Sequence, residues 1–100
     1  MPEIGQRKAG KMAALRRFPA KRLTIEELML RDQDFCDMCE ELAEAELALQ
    51  ASEVLPLRVR EARTAEWAAS IDRLTAEIAR ALKEANVIRI GWATHWKRPT

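Results

Sequence analysis

The chain is expected to be all-α, an antiparallel helical hairpin with a short coiled-coil-like seam. It should carry a basic arm before the hairpin and an irregular, Trp-containing tail after it. Two apolar runs at alternating steps of three and four residues, each long enough for several helical turns, predict the helices. Only three Gly and four Pro interrupt 100 residues, 48% of them hydrophobic, which suits a single helical unit. Charge is strongly segregated. Residues 1–23 hold seven Lys and Arg against one acid, and residues 24–49 hold nine acids against one Arg, although the whole chain has a net charge of only +1.

The first segment, 1–23, is read as a basic and flexible arm. Arg7, Lys8, Lys11, Arg16, Arg17, Lys21 and Arg22 give it the composition of an anion or nucleic-acid contact, interleaved with Leu15 and Phe18. The plainer reading is a solubilising segment drawn to the acidic block that follows, which would neutralise it before any nucleic acid arrived.

The hairpin should occupy residues 24–86. Thr24 as N-cap with Glu27 at the third helical position forms a capping box, and Leu23 against Leu28 forms a hydrophobic staple. These signals start the first helix at Ile25, over about 25–50. Asp32 or Asp34 offers a second start, followed by Phe35, Met38, Leu42, Ala45 and Leu49 on one helical face. Pro56 breaks the pattern in the stretch 52–60, which is read as the connection. The second helix, about 58–85, presents Trp67, Ile71, Leu74 and Ile78, with Asn86 as C-cap. The seam of Phe35, Met38, Leu42, Leu49, Trp67, Ile71, Leu74 and Ile78 spans only about two heptads. That is short for a lone hairpin, so self-association or a protein partner is expected, through the seam and the acidic face.

The tail 87–100 changes character, with Ile88, Ile90 and Trp92 alternating with Arg89 and Gly91 as an extended segment would. A helical turn would instead put Trp92 and Trp96 on one face beside Lys97 and Arg98, as an interfacial anchor or a stacking platform would, and packing against the hairpin fits them equally well.

Catalytic chemistry finds no support in the residues. His95 is the single histidine, and no nucleophile–His arrangement can be assembled around it. The dense carboxylates between Glu26 and Glu46 read as a solvated face, because paired catalytic carboxylates need a cleft that separates their pKa values. Cys36 and Cys39 form a C-x-x-C without the strand–helix context of a redox motif, and four metal ligands would require pooling two chains. Ordinary reduced cysteines are the expected state. Helical i, i+3 spacing leaves Cβ atoms about 5–6 Å apart, whereas a relaxed disulfide needs about 3.8 Å. Neither an enzyme nor a cofactor is expected. No apolar run approaches a membrane span, and the cytoplasm is the expected compartment.

Phe18-Pro19, Ile25-Glu26-Glu27-Leu28, Asp34-Phe35, Glu40-Glu41-Leu42, Ile71-Asp72-Arg73-Leu74 and Glu77-Ile78 resemble the YdcH-like family of small bacterial helical-hairpin proteins. The resemblance covers residues 18–85. It implies a helical hairpin and a bacterial cytoplasmic setting, and it brings no site residues with it. Pro56 in the connection and the Trp-bearing tail depart from the family's shorter form.

Overall fold

The structure, a computed structural model, describes the backbone of residues 2–97 and the side chains of residues 5–85. Its elements are α1 (Pro2–Arg17), a 3₁₀ turn (Pro19–Lys21), α2 (Arg22–Arg31), α3 (Gln33–Ser52) and α4 (Leu57–Lys97). No strand occurs among the described residues.

The expected flexible arm is instead a helix packed on the rest of the chain. Small residues make this possible. Gly10, Ala13 and Ala14 are buried, and a Cβ built on Gly10 would lie 2.8 Å from the Glu40 backbone nitrogen and 2.9 Å from the Cys39 carbonyl carbon. Contact that close requires glycine, because a Cβ would have to displace backbone rather than a flexible side chain. Leu15 and Phe18 complete the footing of α1 on the core.

Pro19 ends α1. It cannot donate a backbone hydrogen bond, and it disfavours helical geometry at Phe18, whose φ of −131° and ψ of 62° leave the helix. The Phe18 nitrogen still donates to the Ala14 carbonyl at 2.9 Å, and the Lys21 nitrogen to the Phe18 carbonyl at 3.0 Å. This turn leads straight into α2 at Arg22, so the capping box expected at Thr24 does not form. Thr24 is a buried residue inside the helix, and Leu23 is 76% exposed, too exposed for a staple.

Asp32 divides what sequence periodicity suggested as one helix over 25–50. Its backbone is extended (φ −119°, ψ 101°), its nitrogen donates to the Leu28 carbonyl at 2.8 Å, and its carboxylate accepts from the Phe35 nitrogen at 3.1 Å. One residue closes α2 and caps α3.

The connection lies where Pro56 predicts it. The Pro56 carbonyl accepts from the nitrogens of Val59 and Arg60 at 3.1 and 3.0 Å, opening α4. The Ser52 hydroxyl donates to the Leu49 carbonyl at 2.6 Å and lies 3.2 Å from the Thr64 hydroxyl, tying the two helices together beside the turn. Beyond this point the second helix exceeds its expected end. Asn86 lies inside α4, and the tail expected to be irregular is helical to Lys97. Asn is tolerated in helix interiors at a cost of a fraction of a kcal/mol, so it need not terminate one.

The direction of each helix follows from its contacts. Arg7 reaches Gln33, Gly10 sits over Cys39 and Glu40, and Arg16 and Arg17 reach Glu46; α1 and α3 are therefore parallel. The short α2 runs back alongside them, with Glu26 beside Lys11. Residues 32–34 share a cleft with Ala81 and Ala85, so α4 runs antiparallel to α3. The most extensive contacts of the fold are those of α3 with α4 and with α1.

Phe35, Leu42, Ile71, Leu74 and Ile78 are fully or nearly buried, and Met38 and Leu49 pack half-buried against them. Trp67 departs from the expected seam: it is 36% exposed. Replacing Leu74 with Ala should destabilise the protein by about 2–5 kcal/mol, while Glu44→Ala on the exposed surface should cost little. Urea unfolding followed by circular dichroism will compare the two.

Candidate functional site

The residues expected to bind a partner are largely used within the chain. The apolar seam of α3 is covered by the chain's own α4, so it offers no free docking strip. Several basic residues of segment 1–23 engage polar groups of the same chain. Lys11 Nζ lies 3.5 Å from Glu26, Arg22 Nε lies 3.4 Å from the same carboxylate, and Arg7 donates to the Gln33 amide oxygen at 3.3 Å. Arg16 and Arg17 engage the two oxygens of Glu46 at 3.1 and 2.9 Å. Lys8 and Lys21 have no ion-pair partner among the described residues. These pairs are partly exposed, so each contributes at most about 1 kcal/mol; their main effect is to neutralise the arm.

Cys36 and Cys39 are free thiols in the core, both essentially inaccessible. The Cys36 thiol donates to the Met29 carbonyl at 3.1 Å. Burial pushes its pKa up, opposed in part by Arg7. Burial, then neighbouring Cys36 and Glu40, pushes the Cys39 thiol up to about 12. Neutral, enclosed thiols are poor nucleophiles, and among the described residues no three potential metal ligands come together. Trp92, His95 and Trp96 lie outside the residues whose side chains are described.

A surface that sequence periodicity did not reveal runs along the outer side of α1 and α3. Two adjoining hollows, of about 210 and 380 Å³, share Ala9, Ala43 and Leu47. Their apolar lining is completed by Met12, 46% exposed, while Leu47 is 64% exposed. Glu40 and Glu44 stand along the α3 side of this groove, and neither forms an ion pair among the described residues. Arg16, on the α1 side, is already engaged by Glu46.

The origin of the groove is local. On α3, Cys36, Glu40, Ala43 and Leu47 recur at steps of four, three and four, roughly 100° or more around the helix from the Phe35–Leu42 seam. Gly10 draws α1 against the upper part of that stripe, and the short side chains of Ala9 and Ala43 leave a trough beside the contact. The sequence signal for it was the small-residue run Ala9-Gly10 and Ala13-Ala14, a weaker pattern than the heptads.

No family model matches the chain, and no curated protein and no solved structure matches it. Among the described residues no helix is long and apolar enough to cross a membrane.

The buried thiols generate a pH prediction. In the unfolded chain a thiol ionises near 9.0, whereas in the fold Cys39 stays protonated to about 12. Its contribution to stability is therefore complete below pH 9 and declines as pH rises from 9 towards 12. Reaction with a thiol-specific disulfide reagent should be slow in the native protein at pH 8 and rapid for both cysteines in urea. Equal rates in the two conditions would contradict the burial of Cys36 and Cys39.

Proposed function

We propose that the protein is a small helical protein–protein interaction module that docks a helical partner in the outer α1–α3 groove. The observation that carries this reading is the pairing of an apolar floor with carboxylates that form no ion pair among the described residues. Ala9, Met12, Ala43 and Leu47 offer contact to an apolar stripe, and Glu40 and Glu44 favour Lys or Arg beside it. A partner with an apolar ridge at i, i+3, i+4 and i+7 and flanking cations fits that chemistry. The acidic face keeps the role expected of it, while the docking strip moves from the seam to the groove.

Nucleic-acid association is the second reading. Arg7, Lys8 and Lys11 line, together with Glu26, a hollow of about 600 Å³ above Met29 and Leu30. It ranks second because Lys11, Arg16, Arg17 and Arg22 already face acids of the same chain. No catalytic role and no cofactor enters the proposal. The proposed setting is the cytoplasm, in keeping with two free thiols. The resemblance to the YdcH-like family supplies no site residues and adds nothing to this reading.

The test uses a synthetic helical peptide with a Leu stripe flanked by Lys, titrated into the full chain and followed by NMR. Shifts should concentrate at Ala9, Ala43 and Leu47, and the double variant Glu40→Lys, Glu44→Lys should bind about tenfold more weakly. Unchanged binding by that variant would reject the groove. Binding of duplex DNA that falls steeply with salt and is lost in Arg7→Ala, Lys8→Ala would favour the second reading.

A further inference from the structure

The far end of α4 offers the groove an occupant from outside its own chain. Helix α3 begins at Gln33, level with Ala81 and Ala85 of α4, yet α4 continues to Lys97. Residues 86–97 therefore extend past the start of α3 as a helical projection about 18 Å long. Continuity of α4 prevents this projection from reaching the groove of its own chain. From the level of Gln33 the projection points away from the bundle, whereas Glu40 lies about 10 Å along α3 in the opposite direction.

A second copy removes that obstacle. If two chains meet end to end in reverse orientation, the projection of each runs beside the first part of the other's α3. A reach of about 18 Å extends from Gln33 to residue 45, which takes in Glu40, Ala43 and Glu44. The chemistry matches as well. Residues 86–97 contain Arg89 and Lys97 with no acid, among Val87, Ile88, Ile90, Trp92 and Trp96. Apolar and cationic composition thus meets an apolar trough with two unpaired carboxylates.

We infer that the partner of the outer groove is a second copy of this chain, with the α4 projection of each copy seated in the α1–α3 groove of the other in a two-fold dimer. The inference rests on the groove reading above and specifies its occupant. Each contact is made twice, so a modest charge complementarity counts double.

Sedimentation equilibrium of the full chain tests it with two charge-reversal variants, Arg89→Glu/Lys97→Glu and Glu40→Lys/Glu44→Lys. The unaltered chain should form a concentration-dependent dimer, and each variant alone should associate about tenfold or more weakly. An equimolar mixture of the two variants should recover association as a mixed dimer, because the reversed charges then face each other; misfolded variants would not produce that recovery. Circular dichroism of each variant checks helicity independently. A strictly monomeric unaltered chain would overturn the inference while leaving the peptide-binding groove intact. So would dimerisation unaffected by the projection variant. Peptide binding unchanged by Glu40→Lys/Glu44→Lys would instead overturn the groove reading itself.

Discussion

The close approach of α1 to α3 at Gly10 is the constraint on which the rest of the architecture depends. With only hydrogen on its Cα, Gly10 allows α1 to lie against the backbone of Cys39 and Glu40, and Ala13 and Ala14 extend that contact along the helix. Because the approach is parallel, Arg16 and Arg17 arrive at Glu46, and α2 must return the chain to the start of α3 over a short path. With α4 on its other side, α3 becomes the central helix. That position explains why it buries Phe35 and Leu42 towards one side and also encloses Cys36, Cys39 and Ala43.

The same arrangement brings the segregated charges of the sequence together. A basic block and an acidic block of the sequence lie on neighbouring helices and face one another, in a chain whose formal net charge is +1. Exposed ion pairs of this kind add little stability each, but they favour the register in which Lys11 meets Glu26 and Arg17 meets Glu46. Among the described residues, the α3 carboxylates other than Glu46 form no ion pair. Glu40 and Glu44 are two of them, and they border the apolar trough left beside the small-residue contact.

Much of the hairpin was legible in the sequence because large apolar side chains packing at heptad spacing leave a clear periodic trace. Phe35, Leu42, Leu74 and Ile78, the Asp32 cap and the break at Pro56 all belong to that class. The packing of α1 was not legible, since helices joined through Gly10, Ala13 and Ala14 bury backbone and methyl groups rather than a bulky stripe. The capping motif at Thr24 was overridden by the turn that Pro19 initiates three residues before Arg22. Trp67 has core periodicity yet stays 36% exposed, and Asn86 is permitted by a helix interior as readily as by its end. The groove shared these difficulties: it is the by-product of the α1 contact, so nothing that missed the contact could find it.

The most direct measurement compares Gly10→Ala with Gly5→Ala in α1 by chemical unfolding. At Gly5 nothing lies within 4 Å of a new Cβ, so alanine should stabilise the helix by up to about 1 kcal/mol. At Gly10 the same methyl group would press on the backbone of Cys39 and Glu40. Displacing α1 to relieve that overlap should cost about 1–3 kcal/mol, giving a net loss and faster exchange of α1 amides. Opposite signs for the two substitutions are predicted. Equal stabilisation by both would contradict the close α1–α3 approach, and with it the placement of the arm, the ion pairs and the groove.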